Sequence, residues 1–365
     1  MNKLLCIVGG MNTGGAETFL MKVLRSLDRS SYTMDFCVAI EEKGYYDEEI
    51  ERLGSKIYHI PPKTKNPFSS FNAIKKVVKD GKYDSVLRIS QNSMSAIDLI
   101  AAKCGGAKNL LFRSSNTGTC GNRVEDIAHF LCKPIAMVVP TIKIAPSSEA
   151  AAFMFGKSSL KKGNVAILKN GLNIDLFEFD KKKRNNIRSQ QNWEDYFVIG
   201  HVGRFNKQKN HKFLISIFSN EKIDKKKIKL VLIGSGELEE ETRSLVNKLG
   251  ISNSVEFMGI RNNVNELMMA FDAFVLPSYY EGMPNVAIEA QTTGLPCLLS
   301  STITKEVIIT DLVRFIDIND ETAWINSLNE ISFHGSVDRE KYAIKMREAG
   351  YSIYDVIEHF KKLAF

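Results

Sequence analysis

Short apolar runs of strand length alternate with stretches of helical periodicity along this chain, and the connections between them are brief. Residues 4–8, 35–40, 57–60, 85–89 and 109–113 read as strands, and 47–53, 71–79 and 94–104 read as helices between them. Behind the first strand, Phe19, Leu20, Val23, Leu24 and Leu27 recur at helical spacing. A helix after each strand carries the chain back to begin a parallel neighbour, so the pattern predicts an α/β fold with parallel sheets covered on both faces. Groups that meet a ligand should then project from loops at the carboxyl ends of the strands. The 365 residues are too many for one ordinary core and suit two domains. Between residues 180 and 195 the composition turns to Lys, Arg, Asn and Gln, which places the expected linker there and the domains at 1–180 and 181–350.

A hydrophobic content of 44% with 25% charged residues belongs to a soluble globular protein. The net charge of +7 suits anionic small ligands or an anionic membrane surface and falls short of a nucleic-acid signal. The six cysteines, at 6, 37, 104, 120, 132 and 297, form no Cys-x-x-Cys pair and read as reduced thiols of the cytosol. No apolar run approaches bilayer length, and the short apolar start flows directly into Gly9-Gly10, so any membrane contact is expected to be peripheral.

The chemistry concentrates in the second half. Ala273-Phe274-Val275-Leu276-Pro277, a buried-strand candidate, leads into Ser278-Tyr279-Tyr280-Glu281-Gly282-Met283-Pro284-Asn285-Val286-Ala287-Ile288-Glu289-Ala290. A helix is expected from Asn285, with Gly282 and Pro284 opening the turn and Asn285 as its cap. The amides of such a helix start and its positive dipole end make an anion site, bracketed here by Glu281 and Glu289. On a fully helical path the two acids would lie roughly 12 Å apart. Two acids on a solvated helix start are the plainer reading of the same residues. A second turn, Gly203-Arg204-Phe205-Asn206-Lys207-Gln208-Lys209, puts cations before a helix, where they oppose the dipole unless an anion is present. A third, Gly234-Ser235-Gly236, is close to a dinucleotide fingerprint, with Glu239 where a small residue belongs.

Glu281, seven residues, then Glu289 resembles the donor-site motif of the family 4 retaining glycosyltransferases, and the likeness extends along nearly the whole chain. That family has the GT-B fold, two Rossmann-like domains facing a deep cleft, with the last helix, here within 351–365, crossing back to the N-terminal domain. The resemblance implies that Glu281 meets the donor sugar, Glu289 the ribose, and Arg204 with Lys209 the diphosphate. It also implies donor contacts from Gly14 and Gly15 of the Gly-Gly-Ala-Glu loop, from Gly203, Gly234 and Arg261, and from Gly282, Met283, Pro284, Asn285 and Val286. Acceptor-side candidates are Asn92, Arg113, Ser115 and Asn116. Many relatives carry histidines in the last of these loops; this chain has Arg113-Ser114-Ser115-Asn116-Thr117 instead. The departure bears on the donor, the acceptor and catalysis itself. His129, in the following helix, is read as a packing histidine.

The expected activity is that of a retaining hexosyltransferase using a nucleoside-diphosphate sugar, UDP-linked, with a saccharide or lipid-linked saccharide acceptor in surface polysaccharide synthesis such as capsule or exopolysaccharide. No cofactor and no divalent metal are expected: the sequence has no Asp-x-Asp triplet, so the helix start, Arg204 and Lys209 must carry the diphosphate charge. The expected place is the cytoplasm, at the inner face of the membrane, with no nucleic-acid partner. Rival readings are a non-catalytic GT-B subunit, a sugar-nucleotide epimerase and, from Gly234-Ser235-Gly236, an NAD-dependent dehydrogenase.

Overall fold

The computed structural model describes every residue except 1, 13, 116–122 and 334–337, and leaves out the side chains of 123–125 and 333. The chain divides into two compact units, one of residues 1–171 with 353–365, the other of residues 172–352.

Seven parallel strands form the sheet of the first unit: β1 (Asn2–Val8), β2 (Tyr32–Val38), β3 (Ile57–His59), β4 (Ser85–Ser90), β5 (Asn109–Ser114), β6 (Ile142–Ala145) and β7 (Ala166–Ile167). Their order is β3-β2-β1-β4-β5-β6-β7. Successive side chains of a strand point to opposite faces, and β1 shows the result. Leu4, Cys6 and Val8 enter one core cluster while Leu5 and Ile7 enter the other, so both faces are dry, as helices on both sides require. The helix Ile353–Ala364 closes the first of these cores with Ile353, Val356, Ile357, Phe360 and Ala364, a stripe at helical spacing. Phe360 meets Phe19 edge to face at 5.7 Å.

The second unit repeats the plan with six parallel strands: β8 (Phe197–Val202), β9 (Ile228–Ile233), β10 (Val255–Gly259), β11 (Ala273–Leu276), β12 (Cys297–Ser300) and β13 (Val313–Ile316), in the order β10-β9-β8-β11-β12-β13. Among the described residues no helix is long and apolar enough to cross a membrane. The described cysteines are free thiols; burial pushes Cys37 up to about 12.

The expected domain boundary needs correction. The lysine-rich stretch expected as the linker is the helix Lys181–Gln190 and lies inside the second unit, the division falling between residues 171 and 172. The Asp180 carboxylate caps it, accepting from the amides of Lys182 (2.8 Å) and Lys183 (3.1 Å). Its arginines are not solvated. Arg184 and Arg188, one turn apart, donate to the carbonyls that end the helix Val264–Ala270 and to the Asp272 carboxylate, and Arg339 reaches the same carbonyls from elsewhere in the chain. Polar composition concealed this because the buried partners are backbone oxygens and one acid. After residue 300 the turn Lys305–Val307 and strand β13 precede the final helices.

Candidate active site

In the second unit the strand order reverses between β8 and β11, so the loops after these strands leave the carboxyl edge of the sheet side by side. The two loops are laced together: Tyr279 donates its amide to the Gln208 carbonyl at 2.9 Å, and Gln208 Nε2 donates to the Tyr280 carbonyl at 2.9 Å. One residue beyond this lacing on each loop, Lys209 Nζ meets Glu281 Oε1 at 2.7 Å. Both side chains are mostly withdrawn from solvent, 14% and 11% exposed. The same oxygen accepts from Ser278 Oγ at 2.9 Å, and Oε2 has no donor among the described residues.

The supporting residues explain why the pair is held there. Asn206 Oδ1 accepts from the Lys209 amide at 3.1 Å and fixes the turn, an Asn three residues ahead of the lysine. Ser278 is fully buried, its carbonyl accepts from Thr302 Oγ1 at 2.9 Å, and the Glu281 backbone bridges to Ile303. Sequence reasoning assigned roles to Lys209 and Glu281 and none to Ser278, Asn206 or Thr302. The spacings Asn206-x-x-Lys209 and Ser278-x-x-Glu281 were the available signals.

Arg204 follows Gly203 at the end of β8 and lies 3.3 Å from Glu237 with 72% of its side chain exposed. The Gly234-Ser235-Gly236 loop has a packing reason that needs no dinucleotide. Gly234 has φ +135°, and a Cβ there would lie 2.1 Å from the Gly203 carbonyl oxygen; one on Gly236 would lie 2.4 Å from that of Phe205. The glycines let the two loops touch backbone to backbone.

Beneath the cations sit two histidines. His211 stacks on Phe205 at 4.0 Å and meets His201 edge to face at 4.6 Å. Burial, with Lys209 adding to it, pushes His211 down to about 4; burial, the His211 ring and Lys209 hold His201 well below the usual range. Both are neutral at pH 7, so the positive charge here comes from Arg204 and from the lysines, Lys209 among them.

The helix after Glu281 runs Asn285–Thr292, and its cap position is Pro284 rather than Asn285. The Pro284 carbonyl accepts from the Ala287 amide at 3.0 Å, which makes Asn285 the first helical residue. Glu281 therefore precedes the helix and the fully helical path between the two acids does not occur. Met283 and Val286 pack on the core of this unit, and Glu289 is half-buried one turn in. Buried Gln291 pins the helix by donating to the Ala287 and Val307 carbonyls and accepting from Ile309, Thr310 and the Thr310 hydroxyl. Arg261 is exposed just after β10.

The candidates in the first unit have different surroundings. Gly14 caps the helix Gly15–Ser26, and the Glu17 carboxyl, raised by burial, lies against it. Asn92 Oδ1 accepts from the Met94 amide at 2.9 Å in a turn after β4, and the Ser115 amide donates to the Ser90 carbonyl at 3.1 Å. Arg113, expected on a ligand-facing wall, is instead a core residue. Its guanidinium lies 4.2 Å from the Phe19 ring centre and donates to Asn170 Oδ1 at 2.7 Å, and burial lowers it to about 10. The alternation of a strand whose two faces are both covered turned it inward. Asn116 lies outside the described residues. His129 is a packing residue, stacked on Phe153 at 4.3 Å and accepting from the Ser93 amide at 3.2 Å.

Residues 183–351 match the family described as glycosyl transferases group 1. The match covers the second unit almost whole, including the Lys209–Glu281 pair. Among similar proteins, EpsF of Bacillus subtilis (strain 168), provisionally named a glycosyltransferase, is 29% identical over 355 residues, 96% of this chain and 92% of that one. An Escherichia coli relative, named UDP-Gal:alpha-D-GlcNAc-diphosphoundecaprenol alpha-1,3-galactosyltransferase, is 32% identical over 143 residues, 37% of this chain and 36% of its own. The crystal structure of Anabaena HepE in complex with UDP and glucose superposes with a TM-score of 0.77 at 18% identity over 99% of both chains. At that identity the likeness shows the fold: the chain is α/β, of the GT-B class, as expected from sequence.

Proposed function

We propose that this glycosyltransferase moves a hexose, with retention at the anomeric carbon and without a divalent metal, from a UDP-linked sugar to a saccharide or lipid-linked saccharide acceptor in surface polysaccharide synthesis. The observation that carries the reading is the meeting of Lys209 and Glu281 where the strand order of the second unit reverses, with Arg204 on the same loop. As the glycosidic bond breaks, negative charge grows on the departing diphosphate, and fixed cations stabilise it most where it develops. Arg204 offers a planar fork for two oxygens and Lys209 a point charge; the helix Asn285–Thr292 adds its positive end. Glu281 orients the sugar and lends charge to an oxocarbenium-like state, while Glu289 accepts from the ribose hydroxyls. The donor and acceptor named for the Escherichia coli relative, UDP-Gal and a diphosphoundecaprenol-linked sugar, support the substrate classes.

Contact with the inner face of a membrane is part of the proposal. Along the helix Arg123–Val138, Ile127, Phe130, Leu131 and Val138 are exposed at helical spacing, an apolar stripe suited to a lipid surface. The deciding experiment is sugar transfer from UDP-hexoses to lipid-linked acceptors with Lys209→Ala and Glu281→Ala. Each should lower turnover by about 10²–10³ while the chain still folds at the assay temperature, the melting temperature falling because the partner charge is left unpaired. Near-normal turnover in both variants refutes the assignment.

A further inference from the structure

Lys209 cannot serve a diphosphate while Glu281 holds it. The pair lies at 2.7 Å with its side chains 14% and 11% exposed, so salt and water screen it little. The other cation is bound more loosely: Arg204 and Glu237 are 3.3 Å apart and mostly in water, a setting in which ion pairs count for little. Without ligand, then, the strongest competitor for the ammonium is the carboxylate assigned to the sugar.

We propose that Glu281 and the incoming diphosphate compete for Lys209, and that Ser278 keeps the Glu281 carboxylate in place once Lys209 has turned away, so that a sugar-bearing nucleotide is favoured over the free nucleoside diphosphate. This rests on the nucleotide-sugar reading above. A free nucleoside diphosphate that takes Lys209 strips Glu281 of its counter-ion and sets new negative charge beside a carboxylate in a mostly buried position. A sugar-bearing nucleotide takes the same ammonium but returns hydroxyl donors to Glu281, whose Oε2 has no donor among the described residues. Glu281 thereby penalises the product and not the donor. The exchange needs an acid that stays put when its cation leaves. Ser278 supplies the anchor: it is fully buried, donates to Oε1 at 2.9 Å, and is fixed through its carbonyl to Thr302, which pairs with Ser300 Oγ at 2.7 Å. Ser278 is a positioning residue, acting through Glu281.

The test is isothermal titration of the full chain with UDP and UDP-glucose, and with the GDP/GDP-mannose, ADP/ADP-glucose and dTDP/dTDP-glucose pairs, on wild type, Glu281→Gln and Ser278→Ala. Wild type should favour the sugar-bearing member of its pair. Glu281→Gln should bind the free nucleotide about tenfold more tightly, as expected for releasing a charge-assisted bond, and lose the preference. Ser278→Ala should leave free-nucleotide affinity within about twofold and weaken only the sugar nucleotide, roughly fivefold or more. Wild-type binding with no tightening in Glu281→Gln overturns the exchange and leaves the nucleotide-sugar reading standing. Equal weakening of both ligands by Ser278→Ala reduces Ser278 to a structural residue. No binding of any pair by wild type overturns the exchange and the nucleotide-sugar reading together.

Discussion

Replacing Gly234 with alanine tests whether backbone contact between neighbouring loops holds Arg204 in place. Gly234 has φ +135°, a conformation that side-chain-bearing residues rarely adopt, and forcing one there costs roughly 1–3 kcal/mol. A Cβ would also stand 2.1 Å from the Gly203 oxygen and 2.9 Å from its carbon. Those are backbone atoms with no rotamer to change, so the β8 loop must retreat by about 1 Å, a distortion of the size that costs roughly 1–3 kcal/mol in an overpacked core. The sum, roughly 2–6 kcal/mol, should lower the melting temperature at about 2–4 °C per kcal/mol for a domain of this size. Gly250→Ala is the internal control. Its φ is +69° and a Cβ there meets nothing within 4 Å, so it carries backbone strain alone. Thermal unfolding of the two variants sets the collision and the rarer φ of Gly234 against left-handed strain alone, and UDP-glucose titration reports whether Arg204, the residue after Gly203, has moved with the loop. The reasoning is refuted if Gly234→Ala melts no lower than Gly250→Ala.

Asp272→Ala should destabilise the second unit by roughly 3–5 kcal/mol in urea unfolding, because Arg184 and Arg188 then lose the buried acid between them and the Val198 amide loses its acceptor. His211, held down to about 4 by burial, is neutral in the fold and charges at about 6.5 in the unfolded chain. Its contribution is therefore present above pH 6.5 and is lost as pH falls toward 4, a drop of about 3 kcal/mol added to that from buried His201, so urea melts across the window should show a loss that His211→Gln reduces by about that amount. Paired changes Phe130→Ser and Leu131→Ser should abolish flotation with anionic vesicles while leaving sugar transfer to a soluble acceptor within about twofold.

The alternation of apolar runs and helical stripes was enough to predict parallel sheets with helices on both faces, because burial on both faces leaves a continuous apolar signature in each strand. Lys209 and Glu281 are legible in the sequence as ligand-facing groups of the loops after β8 and β11, whereas their direct pairing is not. What composition hid were polar side chains with buried partners. Arg184 and Arg188 read as a solvated linker until the carbonyls ending the helix Val264–Ala270 appeared opposite them. Arg113 read as an acceptor-side residue because it stands at the carboxyl end of a strand in the loop that matches the family's, yet it lies between Phe19 and Asn170. Ser278 was in view throughout, but its role depends on a carbonyl contact from Thr302, too far along the sequence for local spacing to reveal.

Residues 353–365 complete a unit that residues 1–171 began, and the whole of residues 172–352 is made between them. During synthesis the leading sheet therefore emerges with one flank bare, its place for Phe360 and Ile357 unfilled until residues 353–365 are made. The intervening segment has every strand of its own sheet in hand sooner. Maturation then runs against the order of translation, and a chain clipped at its tail would carry an intact second half beside a first half that never seals.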